Sequence, residues 1–180
     1  NVSLEILIPN NLIDDELDIP QAEVKFNEVM ERINHTELDE HKELLEKCSE
    51  KLRKNKAIHE RLQEIQLIFK DGDLNVADRS ITQILSNVRQ ERKSESNIYS
   101  ENLVDHIKSL KEQVTAALQD GAESLQADFD QIDKEIKKTL NFGTIQNLLA
   151  NYKIRAIRLG LEEIQSEIDN KLLEVIDNYT

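Results

Sequence analysis

The sequence predicts an all-α protein, an elongated antiparallel helical bundle or coiled coil of three or four long helices behind an extended N-terminal segment. Three observations carry this. Leu and Ile recur at helical spacing from Asp18 to the C-terminus, and Pro20 is the last proline in the chain. Charged residues reach 33% against 4% aromatic, with no Trp; that profile suits helices with a solvated face better than a globule built around large rings. The strongest turn signals after residue 20 are two, around Gly72 and Gly143, and short turns make neighbouring helices antiparallel.

Residues 1–17 read as an extended segment. Val2, Leu4, Ile6 and Ile8 alternate at strand period before Pro9 and Asn10-Asn11 interrupt them. An acidic run of Asp14, Asp15, Glu16 and Asp18 follows. Such a strap packs on the bundle, frays, or adds a strand to a partner's sheet edge.

The first helix is expected over residues 18–70. Asp18 caps it, Pro20 sits in the first turn and Gln21 holds the capping-box position. Ala22, Phe26, Val29 and Ile33 open its stripe; Leu38, His41, Leu45, Cys48, Leu52, Asn55, Ile58, Leu62, Ile65 and Phe69 continue it. The three-three step from Leu52 through Asn55 to Ile58 is a stammer. Asn55 therefore has two readings: a polar seam residue that sets register and partner choice, or a residue the stammer rotates to the surface. Lys70 and Gly72 end the helix.

The second helix is expected over 74–142. Leu74, Ala77, Ile81, Ile84 and Val88 form one stripe, Gln90 to Asn97 is almost wholly polar, and Leu103, Ile107, Leu110, Val114, Ala117, Leu125, Phe129, Ile132, Ile136 and Leu140 resume it. The periodicity crosses Gly121, so the helix is read as continuous there; a break would make the fourth helix. Gly143 closes it and Thr144 caps the third helix, 144–179, whose stripe runs from Ile145 through Leu148, Tyr152, Ala156, Leu159, Leu161, Ile164, Ile168, Leu172 and Val175 to Tyr179. Helices of about 50, 68 and 35 residues far exceed the usual mean of about 11–12, and such stripes are stable only when covered.

No constellation for chemistry emerges, so catalytic, cofactor-binding and metal residues are all read as none. His35, His41, His59 and His106 form no HExxH pattern and no i,i+4 pair. Cys48 lies mid-helix near the seam and reads as a small buried apolar residue; a nucleophile needs an activating base or a helix N-terminus. The four glycines are scattered, so no phosphate loop forms. One cysteine allows no internal disulfide, which suits a cytoplasmic or nuclear setting. The Asn-x-Ser/Thr triplets at Asn1, Asn34 and Asn178 are discounted as chance matches, Asn34 because it falls inside the first predicted helix.

Net charge is −13, which argues against nucleic acid and against anionic membranes. Against that background Lys51, Arg53, Lys54 and Lys56 form one basic cluster, and Arg89, Arg92 and Lys93 another. Folding back at Gly72 sets residue 54 level with residue 90, because each lies 18 positions from the turn. The two clusters then form one basic band, a candidate protein-binding surface for Glu91, Glu95, the Asp14–Asp18 run or a partner's acids. Lys153, Arg155 and Arg158 are a third basic stretch that extends it.

The function expected is a non-enzymatic structural and interaction module, a rod-like coiled-coil segment of a larger scaffold, cytoskeletal or tethering protein. It contacts other proteins and self-associates as a dimer or a hetero-coiled coil, because unequal helices leave seam uncovered. No stretch of 18 apolar residues spans a membrane, no secretory signal is read, and a start at Asn1 rather than Met reads as a piece of a longer protein. In helix number and length alone the layout resembles the BAR domains, which implies a membrane-curvature-binding module as the alternative; that resemblance rests on no motif.

Overall fold

The computed structural model describes residues 1–139 and 141–179, and these are helical with short connections and no strand. Leu140, assigned to a predicted stripe, and Thr180, which completes the Asn178 triplet, lie outside the described residues. The helices are α1 (Val2–Glu5), α2 (Leu7–Asp14), α3 (Ile19–Arg32), α4 (His35–Glu40), α5 (Lys42–Lys70), α6 (Leu74–Ser94), α7 (Glu101–Asp130), α8 (Ile132–Lys138), α9 (Phe142–Leu159) and α10 (Glu162–Tyr179).

The chain divides into two compact units. One comprises Asn1–Ile65 with Ile81–Lys111, the other Gln66–Ser80 with Glu112–Thr180. In the first, the α1–α2 and α3 residues Val2, Ile6, Ile13, Ile19, Ala22, Phe26 and Val29 share a core with Leu45, Cys48 and Leu52 of α5. In the second, Leu125 and Ile132 join Ile145, Leu149 and Ala156 of α9 and Ile164, Ile168 and Val175 of α10. α9 and α10 form an antiparallel hairpin whose open end is closed by Phe142 against Tyr179, ring centroids 5.6 Å apart.

The N-terminal segment is helical, not extended. Val2, Ile6, Pro9 and Ile13 are buried, a 4-3-4 spacing that marks one helix face. The alternation reading failed because Leu4 and Ile8 are apolar yet point outward. Asn1 caps α1 by accepting from Ser3 N at 3.0 Å. Pro9 is the third residue of α2, in the first turn, where its missing N–H costs little. The segment ends at Leu17, whose φ of 51° lies in the left-handed region, and Asp18 N donates to Leu12 O at 2.8 Å.

The helix expected over 18–70 starts from the Asp18 cap, which accepts from Gln21 N at 3.1 Å, but it is interrupted twice. Ile33 is extended and Asn34 opens α4 with a full capping box: Asn34 Oδ1 accepts from Glu37 N at 2.9 Å, and Asn34 N donates to Glu37 Oε2 at 3.3 Å. Two orphan donors are satisfied at once, so the chain gains by breaking there, and Asn34 is a cap rather than a mid-helix residue. A second, milder bend at His41 separates α4 from α5.

The helix expected over 74–142 breaks in its polar stretch at 95–100, again at Gln131, and ends at Lys138. It does run unbroken through Gly121. A Cβ there would sit 2.7 Å from Leu159 Cδ2, so this glycine lets α7 approach the end of α9. Gly143 closes nothing. It lies in the first turn of α9, which Asn141 caps by accepting from Thr144 N at 3.3 Å.

The helix expected over 144–179 is divided at Gly160, with φ 70°. Gly160 N donates to Ile157 O at 3.0 Å and Leu161 N to Ala156 O at 2.9 Å, the paired bonds of a Schellman ending. Gly72 ends α5 the same way, with φ 83°, Gly72 N to Phe69 O and Asp73 N to Ile68 O. At Gly160 a Cβ would also meet Asn75 Oδ1 at 2.5 Å. Gly160→Ala is expected to destabilise the protein by about 1–2 kcal/mol through the left-handed backbone and that clash; urea denaturation of the two proteins checks it, and an unchanged midpoint contradicts the assignment.

Candidate functional site

The chemistry-bearing side chains converge on the middle of α5, around Asn55. Asn55 is fully buried, so it is not rotated to the surface. Its Nδ2 donates to Lys51 O at 2.7 Å and to Ile98 O at 2.8 Å, and its Oδ1 accepts from Ser100 N at 2.9 Å. Both amide protons are used, and the backbone of the α6–α7 link is held against α5 by one side chain. Ile98, Tyr99 and Ser100 are buried with it.

The link in turn holds α2. Ser100 Oγ donates to Asp14 O at 3.2 Å, and Asn102 Nδ2 to Asp14 O at 3.0 Å and Asp15 O at 2.9 Å. These are carbonyls at the end of α2, the groups a helix terminus leaves without intrahelical partners. Lys51 Nζ completes the joint, 2.5 Å from Asp14 Oδ2.

The basic band does not form as a face. Lys51 pairs with Asp14 on α2, Lys54 with Glu91 on α6, and Lys56 with both carboxylate oxygens of Glu23 on α3 at 3.0 Å. Residues 51, 54 and 56 point to three different sides of a helix, so the lysines act as spokes to three neighbours. Arg53 is taken by Glu50 at 2.6 Å, and Arg92 by Glu101. Arg89 and Lys93 are exposed on α6, and no ion pair joins either to another described residue. The level of Lys54 with Glu91 agrees with the register counted from Gly72 to within one residue. Lys153 pairs with Asp169 at 2.7 Å, Arg155 with Asp128 at 2.7 Å, and Arg158 donates to Asp71 O at 3.0 Å. Sequence reasoning named Glu91 and the Asp14 run as possible acids. It missed Glu23, Ser100 and Asn102, which nothing local distinguishes.

The electrostatics follow from these contacts. The Lys54 ammonium, with help from the Tyr99 hydroxyl donating at 2.9 Å, holds the Glu91 carboxyl below its ordinary 4.5. Burial and the Glu91 bond push the Tyr99 hydroxyl far up. Burial raises the Cys48 thiol to about 11, and with 2% of its surface exposed the side chain stays a neutral core residue at physiological pH. Among the described residues no group of three or more His, Cys, Asp or Glu is placed to hold a metal ion. What the cluster does chemically is hold helices in place. A shallow groove of about 420 Å³ beside it, floored by Phe26, Met30, Leu38 and Leu45, has no buried polar group aimed into it.

Comparison of the chain with protein-family models, with characterised proteins and with solved structures gave no match.

Asn55→Leu leaves Ile98 O, Lys51 O and Ser100 N without their partner. A loss of about 3 kcal/mol is expected, with the Ser100 amide losing protection in hydrogen exchange; retained protection contradicts the clamp. Glu91 is more acidic folded than unfolded, so its contribution is complete above pH 4.5 and disappears as pH falls through the lowered value. Glu91→Gln is expected to flatten the acid limb of stability against pH, read from urea midpoints between neutral pH and the onset of acid unfolding.

Proposed function

We propose that this chain is a non-enzymatic interaction module, an elongated antiparallel helical segment of a larger scaffold, cytoskeletal or tethering protein of the cytoplasm or nucleus. It works by self-association, as a dimer or a hetero-coiled coil, and by contact with other proteins. One observation carries the reading: two helix faces are apolar, exposed and free of charge in a chain that is one-third charged. On α1–α2 these are Leu4, Leu7 and Ile8, exposed by 64%, 49% and 51%; on α9 they are Ile154 and Ile157, exposed by 53% and 51%. Ser3 and Asn11 extend the first face, and Ala150 and Asn151 the second. Apolar residues grouped on an outward helix face, rather than scattered singly, are a sign of contact with another protein.

The basic band contributes less than its sequence suggests, because its lysines are spent on intramolecular pairs. Only Arg89 and Lys93 remain as candidate contacts for a partner's acids. The membrane-curvature alternative loses its basis, since it rested on three long helices and the chain breaks each of them.

Sedimentation equilibrium tests the reading. The weight-average mass is expected to rise above 20.8 kDa with loading concentration. A mass fixed at the monomer value at every concentration overturns self-association.

A further inference from the structure

The two exposed faces carry opposite electrostatic surroundings. From Asn1 to Val24 the chain has no Lys or Arg, and it has Glu5, Asp14, Asp15, Glu16, Asp18 and Glu23. α9 is the reverse: Lys153, Arg155 and Arg158 are its only charged residues. An apolar stripe in an acidic setting and an apolar stripe in a basic setting are therefore presented by the same molecule.

They also differ in relief. Leu4, Leu7 and Ile8 are bulky and stand out from α1–α2. On α9, Ile154 and Ile157 follow Ala150, Asn147 and Gly143 on one exposed line of 4-3-4-3 spacing. Small residues let a second helix approach closely, and large side chains from one helix seat over small ones on the other. Two copies of α9 placed face to face would set three cations against three cations. Two copies of α1–α2 would set acids against acids. The unlike pair removes both repulsions.

We propose that the α1–α2 face of one copy docks on the α9 face of a second copy. This deepens the interaction-module reading and rests on it, and it names the occupant of both faces. The contact is heterologous, so each copy retains one free face of each kind after pairing. Assembly therefore proceeds past the dimer to a ring or an open chain. Attraction between the acidic and basic surroundings makes it weaken with added salt.

Complementation between two variants of the full chain tests this. Leu4→Asp/Ile8→Asp disables the first face and keeps α9. Ile154→Asp/Ile157→Asp disables the second and keeps α1–α2. All four positions are at least half exposed, so far-UV circular dichroism and thermal midpoints of both variants are expected to match the parent. The parent is expected to exceed dimer mass in sedimentation velocity. Each variant alone stays at 20.8 kDa. An equimolar mixture forms a dimer and nothing larger, because one intact face of each kind remains. If the parent associates but the mixture stays monomeric, or either variant alone still associates, head-to-tail docking is wrong while self-association stands. If the parent is monomeric throughout, the self-association reading fails with it.

Discussion

A single carboxamide sets the constraint on which the first unit depends. Asn55 binds three backbone groups and has no proton to spare. Through it the α6–α7 link is fixed to α5, and through Ser100 and Asn102 that link fixes the end of α2. A leucine at position 55 would suit the stripe of α5 but would leave the link without partners in a dry interior. The polar residue sacrifices apolar burial to specify where a non-helical segment lies. This is the role buried polar groups fill when every member of the network is satisfied.

The lysines around it follow a related logic. Each is amphipathic, lies against the side of α5 with its stem partly covered, and meets an acid on a different neighbour. Such pairs contribute modestly when exposed, yet three pointing to α2, α3 and α6 discriminate between arrangements of those helices. Sequence proximity misled here. Four cations within six residues look like a patch when written in a line, whereas on a helix they are spread around the axis.

Much of the fold was legible. The all-α class followed from spacing, the Asp18 cap and Gly72 ending from local chemistry, and the level of Lys54 with Glu91 from simple counting. The breaks were harder for a physical reason. At Asn34 the capping box was written in Asn34 and Glu37, but periodicity from Ile33 to Leu38 carried across and hid it. Gly121 and Gly160 look alike in sequence, each flanked by continuing apolar spacing. One is a mid-helix residue that makes room for Leu159 and the other is a left-handed terminus against Asn75. What separates them is a tertiary neighbour, which no window of sequence contains. The joint around Asn55 was half visible: the residue stood out on the stripe, while its partners at Ile98 and Ser100 had no signature to be found by.

The seating of α2 has a consequence for how the chain is made. Its terminal carbonyls are capped by Ser100 and Asn102, 86 to 88 positions downstream. Synthesis proceeds from the N-terminus, so those carbonyls have no such partners until more than half of the polypeptide has left the ribosome. During that interval Ile6 and Ile13 have only α3 and, later, α5 to lean on. The earliest-made helix is thus among the last to be locked, and its hydrophobic side is the surface a nascent-chain chaperone would meet first.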